Sequence, residues 1–213
     1  MLIERISRIT DYGSHWILWL LVAASVVALA IVIERAVLFW SSRDNHTRLR
    51  REIRALLATR DVAGARRRLD VSPSFEAVIA RAGLDADGAA SAQERILAER
   101  EVARLKLERN LGFLGTLGSN APFVGLLGTV IGVVRAFHRL SEATGQVSAG
   151  LMAEIGEALV ATAVGILVAL PAIAFFNLFH RAIKARLGQS DALGHEVLAY
   201  LKAERRVSPA DAE

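Results

Sequence analysis

The chain has no cysteine, which excludes a disulfide framework, thiolate chemistry and any cysteine-based zinc site. It also lacks a Gly-x-x-x-x-Gly-Lys phosphate loop, a dinucleotide fingerprint and a His-Glu-x-x-His pair, the short motifs that carry nucleotide or zinc chemistry. Its five histidines are scattered, without metal-ligand spacing. The sequence therefore predicts no enzyme, no cofactor and no metal site. Any energy that the protein uses must come from elsewhere.

Charge is missing in three long stretches. Residues 12–33, 110–134 and 158–180 contain no Asp, Glu, Lys or Arg. This segregation explains how a chain that is 53% hydrophobic, with mean hydropathy +0.37, also carries 23% charged residues. Each run reaches the roughly 20 residues needed to span a ~30 Å hydrocarbon layer. The first run is too long for a signal peptide, and Glu4 and Asp11 stand where a signal would be basic, so it reads as a retained membrane helix. The net charge of +4 is explained better by where the cations lie than by nucleic-acid binding.

The cations set a topology. Residues 41–109 hold fourteen Arg plus Lys106, and six more Lys/Arg follow His180. Only Arg5 and Arg8 precede the first run, and Arg139 lies in the loop between the second and third, with Arg135 just inside. Positive charge favours the cytoplasmic side. The expected order is a periplasmic segment 1–14, a first span 15–40, a cytoplasmic helical region 41–110, a second span 111–137, a periplasmic loop 138–153, a third span 154–180 and a cytoplasmic helix and tail 181–213. Trp16, Trp19 and Trp40 bracket the first span, as residues that favour the headgroup zone. The fold class is an all-α membrane protein with three transmembrane helices, two of them extended into the cytoplasm.

Residues 14–63 contain neither Gly nor Pro, so the first helix is expected to run well past the membrane. The Glu/Arg/Leu/Ala-rich stretch 89–111 favours helix and is expected to run into the second span. Two short helices are expected between them, over 61–70 and 75–82, with breaks marked by Gly64, Pro73, Gly83 and Gly88. The basic run Arg66–Arg68 reads either as a surface for anionic lipid or a partner, or as a solvated face.

The last two spans carry stripes of small residues. One is Gly118, Pro122, Gly125, Thr129, Gly132, Ala136, and the other Ala158, Thr162, Gly165, Ala169, Ala172. Steps of three and four place each set on one helix face. Such faces let backbones approach closely. Run in opposite directions, the two spans put Thr129 and Thr162 at similar depth, about 10 and 8 Å from their outer ends at 1.5 Å per residue. Two readings stay open: helix packing with each hydroxyl bonded back to its own turn, or a narrow polar path. Glu157 at the rim of the third span is either a functional carboxylate or an acid favoured by the helix dipole. Arg135 and His138 can pair with it or with Glu154.

The stretch Leu117-Gly-Ser-Asn-Ala-Pro-Phe-Val-Gly-Leu-Leu-Gly-Thr-Val-Ile-Gly132 resembles the second span of ExbB/TolQ proteins. Glu157-Ala-Leu-Val-Ala-Thr-Ala-Val-Gly165, followed by Ala169-Leu-Pro-Ala172 and Asn177, resembles their third. The resemblance implies a proton-channel subunit of the ExbB/TolQ/MotA class in the bacterial inner membrane. It implies a homo-oligomer, a pentamer, around a single-span partner of ExbD or TolR type whose membrane aspartate carries the proton. A TonB- or TolA-like protein, or a motility protein, would receive the work. The proton pathway of that class falls on Thr129, Thr162 and Glu157. Gly125, Gly132, Ala158, Gly165 and Ala169 are expected to line the pore or pack the helices. The chain departs from the family at Ala153-Glu154-Ile155-Gly156, where many members have Pro-Gly, and at the polar Arg135 and His138. The alternatives are a structural membrane scaffold without ion conduction and a solute transporter, which would need inverted repeats or broken helices.

Overall fold

A computed structural model describes residues 15–142 and 149–207, with side chains over 15–140 and 152–204. The segment 1–14, the centre of the loop 138–153 and the last six residues of the tail lie outside the described residues. Seven helices follow in order: α1 His15–Ser41, α2 His46–Ala58, α3 Val62–Val71, α4 Phe75–Leu84, α5 Ala89–Glu108, α6 Leu111–Glu142 and α7 Ala149–Val207. No strand occurs among the described residues. Three helical stretches are long and apolar enough to cross a membrane, beginning at His15, Leu111 and Met152.

The chain divides into two compact units, one made of the residues up to Ile33 with Asn110–Leu178, the other of Glu34–Arg109 with the residues from Phe179. In the first unit, Ile17 and Leu21 of α1 are buried with Ala121 and Ile131 of α6 and Ala169 of α7. The outward faces stay apolar: Trp19, Phe123, Leu127, Leu167 and Leu170 are exposed. An apolar exterior suits a hydrocarbon solvent, in which backbone polar groups must be satisfied within the helix. Pro122 and Pro171 lie inside α6 and α7, both of which continue through them.

The second unit is a helical bundle with a conventional core. Leu49, Ile53 and Leu57 recur along one face of α2 and meet Ala65 and Leu69 of α3, Ala77, Ala80 and Leu84 of α4, and Leu193 and Val197 of α7. A second cluster joins Ile79, Ile96, Ala103 and Leu198. Three of its helices, α2, α3 and α4, start on side-chain caps: Asn45 accepts from the Arg48 N–H at 3.1 Å, Asp61 from Gly64 at 2.7 Å and Ser74 from Ala77 at 3.3 Å. Each cap satisfies one of the four amides that a helix start leaves without an internal partner.

Two helices end sooner than the lack of Gly and Pro suggests. The helix α1 stops at Ser41, and α2 starts afresh on the Asn45 cap. The helix α5 stops before Arg109, and Asn110 adopts a left-handed φ of 63°, a conformation that Asn tolerates better than most residues. Both ends are held by buried arginines. Arg35 donates to the Lys106 carbonyl at 2.8 Å, at the end of α5. Arg186 donates to the Phe39 carbonyl at 2.7 Å and to the Ser42 hydroxyl at 2.6 Å, at the end of α1. Cations at helix C-termini satisfy orphan carbonyls and meet the negative end of the dipole. Burial lowers the Arg186 pKa below the usual guanidinium value. Its guanidinium also lies 4.9 Å from the Phe39 ring centre, and Phe39 stacks on Phe179.

The basic run is partly absorbed by the bundle. Arg68 bonds Glu52 at 2.6 Å and pairs with Asp44 at 3.4 Å, and Arg66 pairs with Asp85 at 3.1 Å. Asp44 accepts from the Ser72 hydroxyl at 2.6 Å and from the Asn45 amide at 2.7 Å. The Ser72 bond, followed by those of Asn45 and Arg68, holds its carboxyl below the usual 3.8. A depressed carboxylate adds stability that is complete above the unfolded value and is lost as pH falls through the folded one. Asp44→Asn should therefore lower the thermal midpoint at neutral pH by a few degrees, and the gap to the unmodified protein should close as the pH falls below 3.8. Thermal melts of both proteins across that range check it.

Candidate functional site

The two small-residue stripes face each other within one chain. A β-carbon on Gly125 would lie 2.8 Å from the Ala161 carbonyl oxygen and 2.9 Å from the Thr162 Cα. One on Gly165 would lie 2.7 Å from the Ala121 carbonyl oxygen and 3.1 Å from the Gly125 Cα. These are backbone atoms, which cannot yield as the end of a flexible side chain does. The helices α6 and α7 meet here at a distance that only glycine permits. Further along, Gly132 packs against Ala158, which is buried, and Ala169 is buried in the cluster with Ile17 and Ala121.

The close approach brings Thr129 and Thr162 together. The Thr162 hydroxyl crosses to α6, 3.0 Å from the Gly125 carbonyl oxygen and 3.4 Å from the Thr129 hydroxyl. The Thr129 hydroxyl donates to the Leu126 carbonyl of its own helix at 2.7 Å. Each hydroxyl has one proton and two lone pairs. With Thr129 donating to Leu126, its lone pairs remain to accept from Thr162 or from a third group. Both threonines are half-buried, so neither is sealed inside the contact. Thr129 thus shows the back-bond that packing alone predicts, and Thr162 shows the cross-helix bond that packing alone does not require.

Glu157 stands apart from the pair, five positions before Thr162, or about 7.5 Å of helix rise. It faces His15 at the start of α1, with its Oε1 3.2 Å from the imidazole Nδ1. One turn earlier, Glu154 pairs with Arg139 at 2.7 Å and Arg135 at 3.7 Å. These charges agree with both helix dipoles, since the acids lie near the N-terminus of α7 and the cations near the C-terminus of α6. They also join the ends of all three helices in this unit. Among the described residues no group of three or more His, Asp and Glu is placed to hold a metal ion.

Some of this was open to sequence reasoning and some was not. The pairing of Arg135 with Glu154 was one of the combinations the sequence left open. The role of His15 was missed, because nothing in the local sequence ties residue 15 to residue 157. The Gly125 carbonyl was missed because backbone acceptors leave no residue signature. The signal that could have found it is the register of the stripes, in which Gly125 and Thr162 each sit at the closest crossing.

Residues 71–191 match the sequence profile of the MotA/TolQ/ExbB proton channel family. An ExbB-like biopolymer transport protein of Helicobacter pylori is 39% identical over 99 residues, covering 46% of this chain and 66% of that protein. The biopolymer transport protein ExbB of Neisseria meningitidis is 29% identical over 195 residues, covering 84% and 87%. The Tol-Pal system protein TolQ of Pseudomonas aeruginosa is 38% identical over 106 residues, covering 50% and 45%. The chain thus spans just under two thirds of the Helicobacter protein and less than half of the TolQ protein.

The glycine contact has a direct test. Gly125→Ala and Gly165→Ala should each force the two backbones apart and cost about 1–3 kcal/mol, as overpacking does. Gly156→Ala, where a β-carbon meets nothing within 4 Å, should leave stability unchanged. Thermal denaturation of the three variants in detergent separates the cases.

Proposed function

The chain belongs to the MotA/TolQ/ExbB proton channel family, and on that premise we propose that it is the channel subunit of an inner-membrane motor that turns proton motive force into work on an envelope partner. The observation that carries the proposal is the Thr129–Thr162 hydroxyl pair, 3.4 Å apart in an otherwise charge-free membrane stretch. The work is of the TonB, Tol or motility kind. The names of the relatives, biopolymer transport and the Tol-Pal system, support the first two. In this reading the subunit is a pentamer, with residues 41–110 and 181–213 in the cytoplasm and the N-terminus in the periplasm, as the arginine bias favours.

The proposed mechanism follows from what the hydroxyls can and cannot do. A hydroxyl can accept and donate in one hydrogen-bonded line, but it neither gains nor loses a proton outright near neutral pH. Thr129 and Thr162 therefore line a path and do not act as the carrier. The carrier is a carboxylate on a single-span partner of ExbD or TolR type. Beside that carboxylate, Thr162 chooses between the Gly125 carbonyl and Thr129, so its O–H can turn without losing a partner. Glu157, facing His15, attracts or hands on the proton at the outer entrance, and the Glu154 pairs with Arg135 and Arg139 hold that entrance in shape.

The scaffold reading draws support from one observation, the Thr129 bond to its own helix. The two readings part at Thr162. Thr162→Val, which keeps the shape and removes the hydroxyl, should cut proton-driven function by about two orders of magnitude, the scale of a lost proton-transfer group, while the complex still assembles. Thr162→Ser should retain function. Proton uptake into liposomes holding the chain with and without its partner, with assembly checked by gel filtration, makes the measurement. Full activity of Thr162→Val, or equal conduction by the chain alone, would refute the mechanism.

A further inference from the structure

Glu76, in the second unit, is a buried acid without a hydrogen bond. It occupies the first turn of α4, where the helix dipole favours a carboxylate, and it is 2% exposed. Neither of its carboxylate oxygens has a hydrogen-bond partner. The nearest ion-pair partner is His46, whose Nδ1 lies 3.7 Å from the Glu76 Oε1, beyond hydrogen-bonding distance. That Nδ1 is itself buried without a hydrogen bond. The Arg186 guanidinium feels the Glu76 charge, but its own bonds go to Phe39 and Ser42. Leaving such groups unpaired in a protein interior is costly.

Both residues border a cavity of about 340 Å³, walled by Arg50, Arg51 and Arg54 of α2 and by Gln189 of α7. Arg50 and Arg54 share one carboxylate, Glu196, at 2.8 and 3.9 Å. Three guanidinium groups against that single acid leave the wall positive. The cavity thus combines a positive wall with a buried carboxylate whose two oxygens have no hydrogen bond, beside the equally unbonded Nδ1 of His46.

We propose that this cavity binds an aminoalkyl phosphate. A primary ammonium brings three charged N–H donors, enough to satisfy both oxygens of Glu76 and offset its charge. Water brings two, an alcohol one and a trimethylammonium none. The phosphate end meets the arginines, whose planar forks suit phosphate oxygens. The volume is at the small end of the range for ligand sites, about 300–1,000 Å³. The same chemistry comes from a free metabolite or from the headgroup of an ethanolamine phospholipid.

The test titrates the full chain in detergent with O-phosphoethanolamine, phosphocholine and inorganic phosphate by calorimetry. It then compares thermal stability in nanodiscs of phosphatidylethanolamine and phosphatidylcholine. O-phosphoethanolamine should bind saturably, and phosphocholine weaker by about tenfold or more, the loss of charge-assisted hydrogen bonds. Glu76→Gln should erase that preference and leave phosphate binding intact. Arg51→Ala should weaken all three ligands. A preference for the ethanolamine form in nanodiscs alone assigns the site to lipid, and one in free solution assigns it to a metabolite. The proposal falls if neither setting shows a preference for ammonium over trimethylammonium, or if Glu76→Gln leaves the preference unchanged. The ligand comparison needs no mutant, so it stands even if Glu76→Gln does not fold.

Discussion

Gly125 and Gly165 leave no room for a β-carbon, and the geometry of the candidate site depends on that exclusion. In a bilayer, apolar side chains gain little by leaving lipid for one another, so helices are held by close van der Waals packing and by hydrogen bonds between them. The contact of α6 with α7 supplies both. Because the backbones touch, the Thr162 hydroxyl reaches the Gly125 carbonyl at 3.0 Å. A wider crossing would strand that hydroxyl or turn it back on its own helix. The small residues and the threonines are therefore one device: the first set the distance and the second use it.

Helix ends organise the second unit in a comparable way. Arg35 and Arg186 are buried, yet each is spent on carbonyls at a helix C-terminus. Arg35 also pairs with the Glu34 carboxylate at 2.6 Å, while the Arg186 bonds go to carbonyls and a hydroxyl. The N-terminal caps at Asn45, Asp61 and Ser74 complete the set. In this unit polar side chains mark where three helices begin and where two stop, while α5 begins on Gly88 without a side-chain cap.

That explains what the sequence could and could not reveal. The three spans were legible because long uncharged runs have few other uses. The stripes were legible because a period of three and four survives without any structure. The ends of α1 and α5 were not, because neither is marked by Gly or Pro. The chain stops these helices with Ser42, Asn45 and Asn110, which act by hydrogen bonding and by tolerance of a left-handed backbone. The partners of Glu157, Arg35, Arg186 and Glu76 were hidden for a different reason. Each is joined to a residue far along the chain or left facing a cavity, and a single sequence holds no record of such distances.

The placement of acids bears on how a proton could cross. Residues 12–33, 110–134 and 158–180 hold no Asp or Glu, and among the described side chains of the first unit the carboxylates are Glu154 and Glu157, in the second and third turns of α7. The Oε1 of Glu154 pairs with two arginines, and its Oε2 is buried without a hydrogen bond. From Glu157 inward the chain offers hydroxyls, backbone carbonyls and apolar surface. A hydroxyl pair can orient a proton and lower the cost of its passage, but a free proton in an apolar layer has no stable resting place. Transport past these charge-free stretches thus calls for a carboxylate or a file of water that the stretches themselves do not supply. In the proposed reading, the half-buried faces of Thr129 and Thr162 are where such a group would meet hydroxyls already in position.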